Sequence, residues 1–457
     1  MYSAAMDRRD FLRRSAAVAA GATLPLQSLL ARAAQGQPVR AASGYGPLAP
    51  VNDATTGLPL LQLPPGFTYF SFGWTKDPMD DGTPTPSLHD GMAAFPLEPG
   101  VVRLIRNHEV GTADAFSSSL AYDPKAGGGT TTLDVDLNHG RVRRCAPSIA
   151  GTIRNCAGGP TPWGSWLTCE ETTADQVSDP RLTHTHGWIF EVPVDGRASA
   201  EPLRAMGRFS HEAIAVDPDT GIVYETEDAG RSGFYRFTPK ERGRLSAGGT
   251  LEMLAIKGQP QFDTRRGQKN GVTYEVEWVP VADPERPHTD AQKRDGEGCF
   301  GQGFANGGAI FARLEGAWYG NGAIFITATS GGNQSRGQVW EYTPRTSTLK
   351  LIFESPGYDI LDMPDNLCVS PRGGLVLCED GSGGANYVRG LTLDGQLFDL
   401  AKNNVVLGGE KNEFSGDYRA SEFAGVTFSP DGRWLLFNIQ TPGITFAVTG
   451  PWFNGVL

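Results

Sequence analysis

From about residue 66 to its C-terminus the chain sets short runs of Val, Ile, Phe, Tyr, Trp and Thr between turn-forming Gly, Pro, Asp and Asn. The runs read as strands and the breaks as turns. No segment carries the apolar stripe at 3.6-residue spacing that a long helix requires, so an all-β chain is predicted. The hairpins also repeat. Gly187-Trp188-Ile189-Phe190-Glu191-Val192-Pro193 resembles Gly233-Phe234-Tyr235-Arg236-Phe237-Thr238-Pro239 and the segment from Gly337 to Pro344. A second unit runs from His211-Glu212 to Glu227-Asp228, with counterparts from Pro364-Asp365 to Glu379-Asp380 and from Ser421-Glu422 to Gln440.

Repeated four-stranded units set round an axis make a β-propeller. About 400 residues at roughly 45–65 per blade predict six blades, and the repeat and the length disfavour a two-sheet sandwich. Residues 35–457 are expected to form this one domain. Its first part, to about Pro65, is rich in Gly, Pro and Ala and is expected to cross the surface as an N-terminal strap.

Residues 1–34 have another pattern: Arg8-Arg9 and Arg13-Arg14 around Phe11-Leu12, an apolar run from Ala16 to Leu30, then Ala31-Arg32-Ala33-Ala34. This is the layout of a twin-arginine signal peptide. The apolar run is too short for a stable membrane span, which needs about 20 residues. Use of the twin-arginine export machinery and a periplasmic or secreted location are therefore expected. Without that segment, which holds five Arg and two Asp, the net charge moves from −11 to −14. Such a balance opposes nucleic acid as a partner, because phosphate backbones call for a basic face. Six cysteines are present, and in an oxidising compartment local spacing allows Cys145 with Cys156 or Cys368 with Cys378.

Acids open and close the repeated hairpins. In a propeller, the start of each innermost strand and the turn after its neighbour reach the same end of the channel, so Glu212, Glu227, Asp228, Asp365, Glu379, Asp380 and Glu422 should form a ring. Clustered carboxylates repel unless cations neutralise them, and oxygen ligands of this kind suit Ca²⁺. Asn107-His108-Glu109 and Thr168-Cys169-Glu170-Glu171 join the ring. There, a thiolate beside two carboxylates favours a transition metal, with Cys169 as iron ligand. Arg313, in Arg313-Leu314-Glu315, has the two-point geometry to grip a phosphate in an acid-lined pocket. Neither a Gly-x-Ser-x-Gly elbow nor a Walker A loop occurs, so metal-assisted attack on a bound electrophile is the chemistry left.

Several ordered motifs resemble the PhoX-type alkaline phosphatases. They are Gly44-Tyr45-Gly46-Pro47-Leu48, Leu63-Pro64-Pro65-Gly66-Phe67, His89-Asp90-Gly91-Met92, Arg106-Asn107-His108-Glu109, the run from Thr161 to Glu171, Gly207-Arg208-Phe209-Ser210-His211-Glu212 and Pro364-Asp365-Asn366. The resemblance implies an exported six-bladed propeller that hydrolyses phosphomonoesters with iron and calcium. It also implies Cys169 as the thiolate on iron and Glu212 as a further ligand. The chain departs from the family's pattern at Arg313-Leu314-Glu315-Gly316, where Pro and Trp are missing, and at Thr226-Glu227-Asp228.

The expected site then has Cys169, Glu212 and Glu315 around iron (Fe³⁺). Glu109, Glu170, Glu171, Asp228, Asp365, Glu379 and Asp380 surround calcium, and Arg313, Asn107 and His211 act on the ester. A small phosphate ester is the expected substrate and a monomer the expected state. Two competitors are a calcium-dependent propeller hydrolase of another ester, such as a lactonase or phosphotriesterase, and a catalytically inert calcium-stabilised binding propeller.

Overall fold

Six antiparallel blades follow one another round an axis in the computed structural model, which describes residues 45–196, 198–286 and 298–457. The expected targeting segment, residues 1–34, lies outside these residues. Three short strands come first: β1 (Ala49–Val51), β2 (Leu61–Leu63) and β3 (Thr68–Phe72). Blade 1 is β4 (His89–Glu98), β5 (Val101–His108), β6 (Gly128–Asp136) and β7 (Arg141–Thr152), and blade 2 is β8 (Asn155–Pro160), β9 (Ser165–Glu170) and β10 (Ile189–Pro193). Blade 3 holds β11 (His211–Val216), β12 (Val223–Glu227), β13 (Phe234–Pro239), β14 (Gly249–Ile256) and β15 (Thr273–Val281). Blade 4 holds β16 (Leu314–Gly320), β17 (Ala323–Ala328), β18 (Gln338–Thr343) and β19 (Thr348–Glu354). Blade 5 is β20 (Pro364–Val369), β21 (Leu375–Glu379), β22 (Tyr387–Leu391) and β23 (Leu397–Asn403). After a ribbon of β24 (Val406–Gly408) and β25 (Ser415–Asp417), blade 6 has β26 (Phe423–Phe428), β27 (Leu435–Ile439) and β28 (Ile444–Thr449).

The innermost strands β4, β8, β11, β16, β20 and β26 each pack on the next, and β26 packs back on β4, so the ring is closed. Blades 3 and 4 share one nine-stranded sheet because β15 extends far enough outward to pair Thr273–Glu275 with Thr348–Lys350 of β19. An apolar cluster fills each gap between neighbouring blades. Ile105, Ile149 and Trp166 lie between blades 1 and 2, Leu167, Ile214 and Tyr235 between 2 and 3, and Cys368, Val376 and Phe437 between 5 and 6. Both faces of a blade are therefore buried, which suits strands with apolar residues on both sides.

Two expectations are corrected here. The segment before Pro65 is more than a surface strap, since β2 adds to the outer edge of β23; just after it, β3 adds to β28 as the outermost strand of blade 6. Leu61 and Leu63 are consequently buried, and β3, from the N-terminal part of the chain, completes the last blade as its fourth strand. No disulfide forms either, since all six cysteines are free and buried. Cys368 stands opposite Val376 on β21, which leaves Cys378 on the diagonal, and Cys156 points to the central channel.

Candidate functional site

Each blade delivers side chains to the axis by the same local device. The residue after the second strand donates its backbone N–H to the carbonyl of the residue before the first. The pairs are Glu109 to Leu88 (2.9 Å), Glu171 to Arg154 (3.0 Å), Asp228 to Ser210 (3.0 Å), Thr329 to Arg313 (2.8 Å), Asp380 to Met363 (3.0 Å) and Gln440 to Glu422 (3.2 Å). Just past that clamp every innermost strand bulges, and a bulge bends a strand and re-aims its side chains. In five blades the second residue of the strand is Asp90, Cys156, Glu212, Glu315 or Asp365. In blade 6 that residue is Ala424, and Glu422, from just before the strand, joins the acids instead.

The result is three groups whose ligand atoms lie within 4.8 Å of one another: Cys156 with Glu171 and Glu212, Asp90 with Glu109 and Glu422, and Asp365 with Asp380 and Glu422. Glu422 belongs to two of them. Arg154 joins the first two, its Nη2 lying 2.5 Å from Glu171 Oε2 and 3.1 Å from Glu109 Oε1. Gln440 donates Nε2 to Glu109 (2.8 Å) and Asp90 (3.2 Å). Across the mouth, Arg313 donates Nε to Asp228 (2.9 Å) and Nη2 to Glu315, while Thr329 donates to the other Glu315 oxygen. The two arginines hold equivalent places before β8 and β16. Both have left-handed backbones, φ +51° and +49°, a conformation that non-glycine residues adopt at a cost.

Burial raises the pKa values of eight of these carboxyl groups, and neighbouring like charge adds to the rise. For Glu212 the neighbours are Asp365, Glu171 and Glu315; for Glu422 they are Asp380, Asp365, Asp90 and Glu109. Asp90, Glu171, Glu315, Asp365 and Asp380 shift the same way. So does Glu109, although Arg154 opposes the rise. Burial and the Glu212 carboxylate likewise push the Cys156 thiol up, and its Sγ donates to Glu212 Oε2 at 2.9 Å. Nine carboxylates and one thiol face two guanidinium groups, so ionising the cluster without cations is costly. The donor set fits cations: two groups offer oxygen alone, and one adds sulfur.

The expected site residues divide into three sets. Glu109, Glu171, Glu212, Asp365 and Asp380 meet in the three groups, and Asp228, Glu315 and Arg313 sit beside them. Glu170 and Glu379 are elsewhere. Each ends a second strand, one residue before the acid that enters the channel, and strand alternation turns it the other way. Glu170 accepts from the Ile153, Gly187 and Trp188 N–H groups and from His186 Nδ1 (2.7 Å). Glu379 accepts from Arg389 (2.8 Å) and the Asp362 and Tyr387 N–H groups.

Cys169 shares a face of β9 with Leu167 and packs in the apolar gap between blades 2 and 3. Asn107 does not face the channel: its Nδ2 donates to the Cys156 (3.1 Å) and Ala157 (2.7 Å) carbonyls, and its Oδ1 accepts from Trp166 and Thr168. It pins the bulge that carries Cys156. His211 is fully buried, with Nε2 on the Gly207 carbonyl (3.0 Å) and Nδ1 3.6 Å from Glu225. Burial lowers its pKa to about 3, so the ring is neutral. Residues outside the expected site but central here are Cys156, Asp90 and Arg154. Their shared signal is position, since each stands at the start of an innermost strand.

The sequence model of the alkaline phosphatase PhoX family matches residues 43–443. No curated protein matches the chain in sequence. Among solved structures, PhoX of Pseudomonas fluorescens, in complex with vanadate, a transition state analogue, superposes with a TM-score of 0.62 at 16% identity, covering 90% of this chain and 99% of that one. XC5397 of Xanthomonas campestris, a gluconolactonase, gives a TM-score of 0.41 at 14% identity, over 91% of this chain and 100% of that one. No helix among the described residues is long and apolar enough to cross a membrane. The family match spans nearly all the described residues, including every channel acid: the chain belongs to the alkaline phosphatase PhoX family.

Proposed function

We propose that the channel mouth is the catalytic centre of an exported phosphomonoesterase that holds iron and calcium. The carrying observation is the convergence of three metal-competent groups, one of them with a buried thiol, at one end of a PhoX-family propeller. Cys156, Glu171 and Glu212 are the proposed iron ligands, because a thiolate favours a transition metal. Asp90 with Glu109 and Glu422, and Asp365 with Asp380 and Glu422, are the proposed calcium ligands. Bound cations would supply neutralisation of the phosphoryl oxygens and activation of water.

The chain's own part is positioning. Arg313 and Arg154 keep side chains that are 34% and 38% exposed, and each is oriented by two carboxylates. A guanidinium held in this way keeps donors for a phosphate arriving at the mouth. Asp228 and Glu315 act through Arg313 in this scheme, and Asn107 acts through the Cys156 bulge. The Arg8-Arg9 segment supports export to the periplasm or beyond.

The test is elemental analysis of the purified exported protein, with an aryl phosphate assay before and after EGTA. Bound iron and calcium, with turnover abolished by EGTA and restored by Ca²⁺, are expected. Full phosphatase activity in iron-free protein would overturn the iron assignment. Bound metals without turnover of any phosphate ester would overturn the catalytic one.

A further inference from the structure

Beside the channel mouth lies a second polar cavity of about 490 Å³, a volume within the usual range for small-molecule pockets. Two of its lining residues are chain neighbours of residues at the centre. Ala312 precedes Arg313, and Ser330 follows Thr329, the residue that donates to Glu315. Its far wall is the segment around Arg265 and Arg266, from the long connection between β14 and β15.

That wall is fixed in place. Gly332 donates its N–H to the Arg265 carbonyl (2.8 Å), and Gly267 donates to Asn333 Oδ1 (3.0 Å). Charge pairing inside the cavity is lopsided. Arg265 closes a two-point pair on Asp263, with Nε at 2.9 Å and Nη2 at 2.8 Å, and so occupies the one carboxylate of the lining. Arg266 is left with a hydroxyl, its Nη2 lying 3.4 Å from Ser335 Oγ. Ser335 has a left-handed φ of +52°, a sparsely populated conformation that turns this loop. A guanidinium with serine hydroxyls and no acid of its own is a donor set for a tetrahedral oxyanion.

We propose that this cavity is a substrate subsite in which Arg266, with Ser330 and Ser335, binds a second phosphoryl group of the ester being hydrolysed at the channel mouth. The preferred substrates are then bisphosphorylated small molecules rather than simple monoesters. The proposal rests on the phosphatase reading of the mouth, and the two fail in different ways.

The experiment compares kcat/KM for glucose 1,6-bisphosphate, glucose 6-phosphate and p-nitrophenyl phosphate in metal-loaded wild type, Arg266→Ala and Arg266→Lys. A charged hydrogen bond of ordinary strength predicts that the bisphosphate-to-monophosphate ratio falls roughly tenfold in Arg266→Ala. Arg266→Lys should keep part of the preference. Arg266 is exposed, so the variant is expected to fold, and a melting curve checks it. A ratio independent of Arg266, in a wild type that turns over all three esters, would overturn the subsite alone. A wild type that turns over none of them would overturn the phosphatase reading and the subsite with it.

Discussion

Single positions in this site are decided by which way a strand turns its side chains. Glu170 and Glu171 are consecutive, yet Glu170 is held by three backbone N–H groups and His186, whereas Glu171 meets Cys156 and Glu212. Glu379 and Asp380 divide likewise, one on Arg389 and the other on Asp365 and Glu422. Acid-rich hairpin ends were legible in the sequence; which acid of each pair enters the channel was not, because that depends on where the second strand stops. The two cysteines show the same limit. Cys169 lies among acids in sequence but packs on apolar neighbours, while Cys156, in Asn155-Cys156-Ala157-Gly158-Gly159, has no apolar alternation to mark a strand. Cys169→Ser should therefore cost about 1–3 kcal/mol by burying a hydroxyl among apolar side chains, with metal content unchanged. Cys156→Ser should remove the thiolate-bound metal at little cost to the stability of the metal-free protein. Urea unfolding and metal analysis on both variants check the contrast, which would be reversed if Cys169 were the ligand.

At the scale of the element, the bulges of β4, β16 and β26 need the glycines Gly91, Gly316 and Gly425, since the neighbouring innermost strand approaches there at backbone distance. A Cβ on Gly91 would come within 2.6 Å of Ala157 Cα and 2.8 Å of the Cys156 carbonyl oxygen. Neither is a flexible side-chain end. Gly91→Ala should therefore force β4 and β8 apart at a cost of about 1–3 kcal/mol and displace Cys156. A lowered melting temperature together with weakened metal retention is expected, and a loss of stability alone would mean that the bulge does not position Cys156. Strand ends also carry a titration. Burial raises the Glu227 pKa to about 7 from 4.5, although the Gly233 N–H and the Tyr235 hydroxyl favour the ionised form. A pKa above its unfolded value gives stability that is fully present below pH 4.5 and lost as pH rises through 7, a swing of about 3 kcal/mol. Glu227→Gln should remove that slope between pH 5 and 8, as followed by denaturant midpoints at each pH.

The whole ring is a compromise between closure and charge. Six blades were legible because the hairpin repeat and the chain length both point to that number. The sealing strands were not, because β2 and β3 pair with blades more than 300 residues away, and no local pattern encodes such a partner. Closure in turn concentrates the channel acids, since each blade adds one or two to the same mouth. With burial and like charge raising eight of these carboxyl groups, the metal-free protein binds more protons folded than unfolded. Its stability should then be greatest below the unfolded carboxyl range near pH 4 and fall as pH rises toward neutrality. Cations bind the ionised groups, so they should stabilise most where the metal-free protein is weakest. One site at 100 times its Kd adds about 2.7 kcal/mol. Calorimetry of EGTA-treated protein should show a melting temperature that drops from pH 5 to pH 8, with Ca²⁺ restoring it strongly at pH 8 and little at pH 5. An EGTA-treated protein that grows more stable over that range would mean that the acids are not crowded at a common mouth. Asp365→Asn should separate this effect from titration elsewhere, because removing one central charge must flatten the decline and weaken the calcium response together.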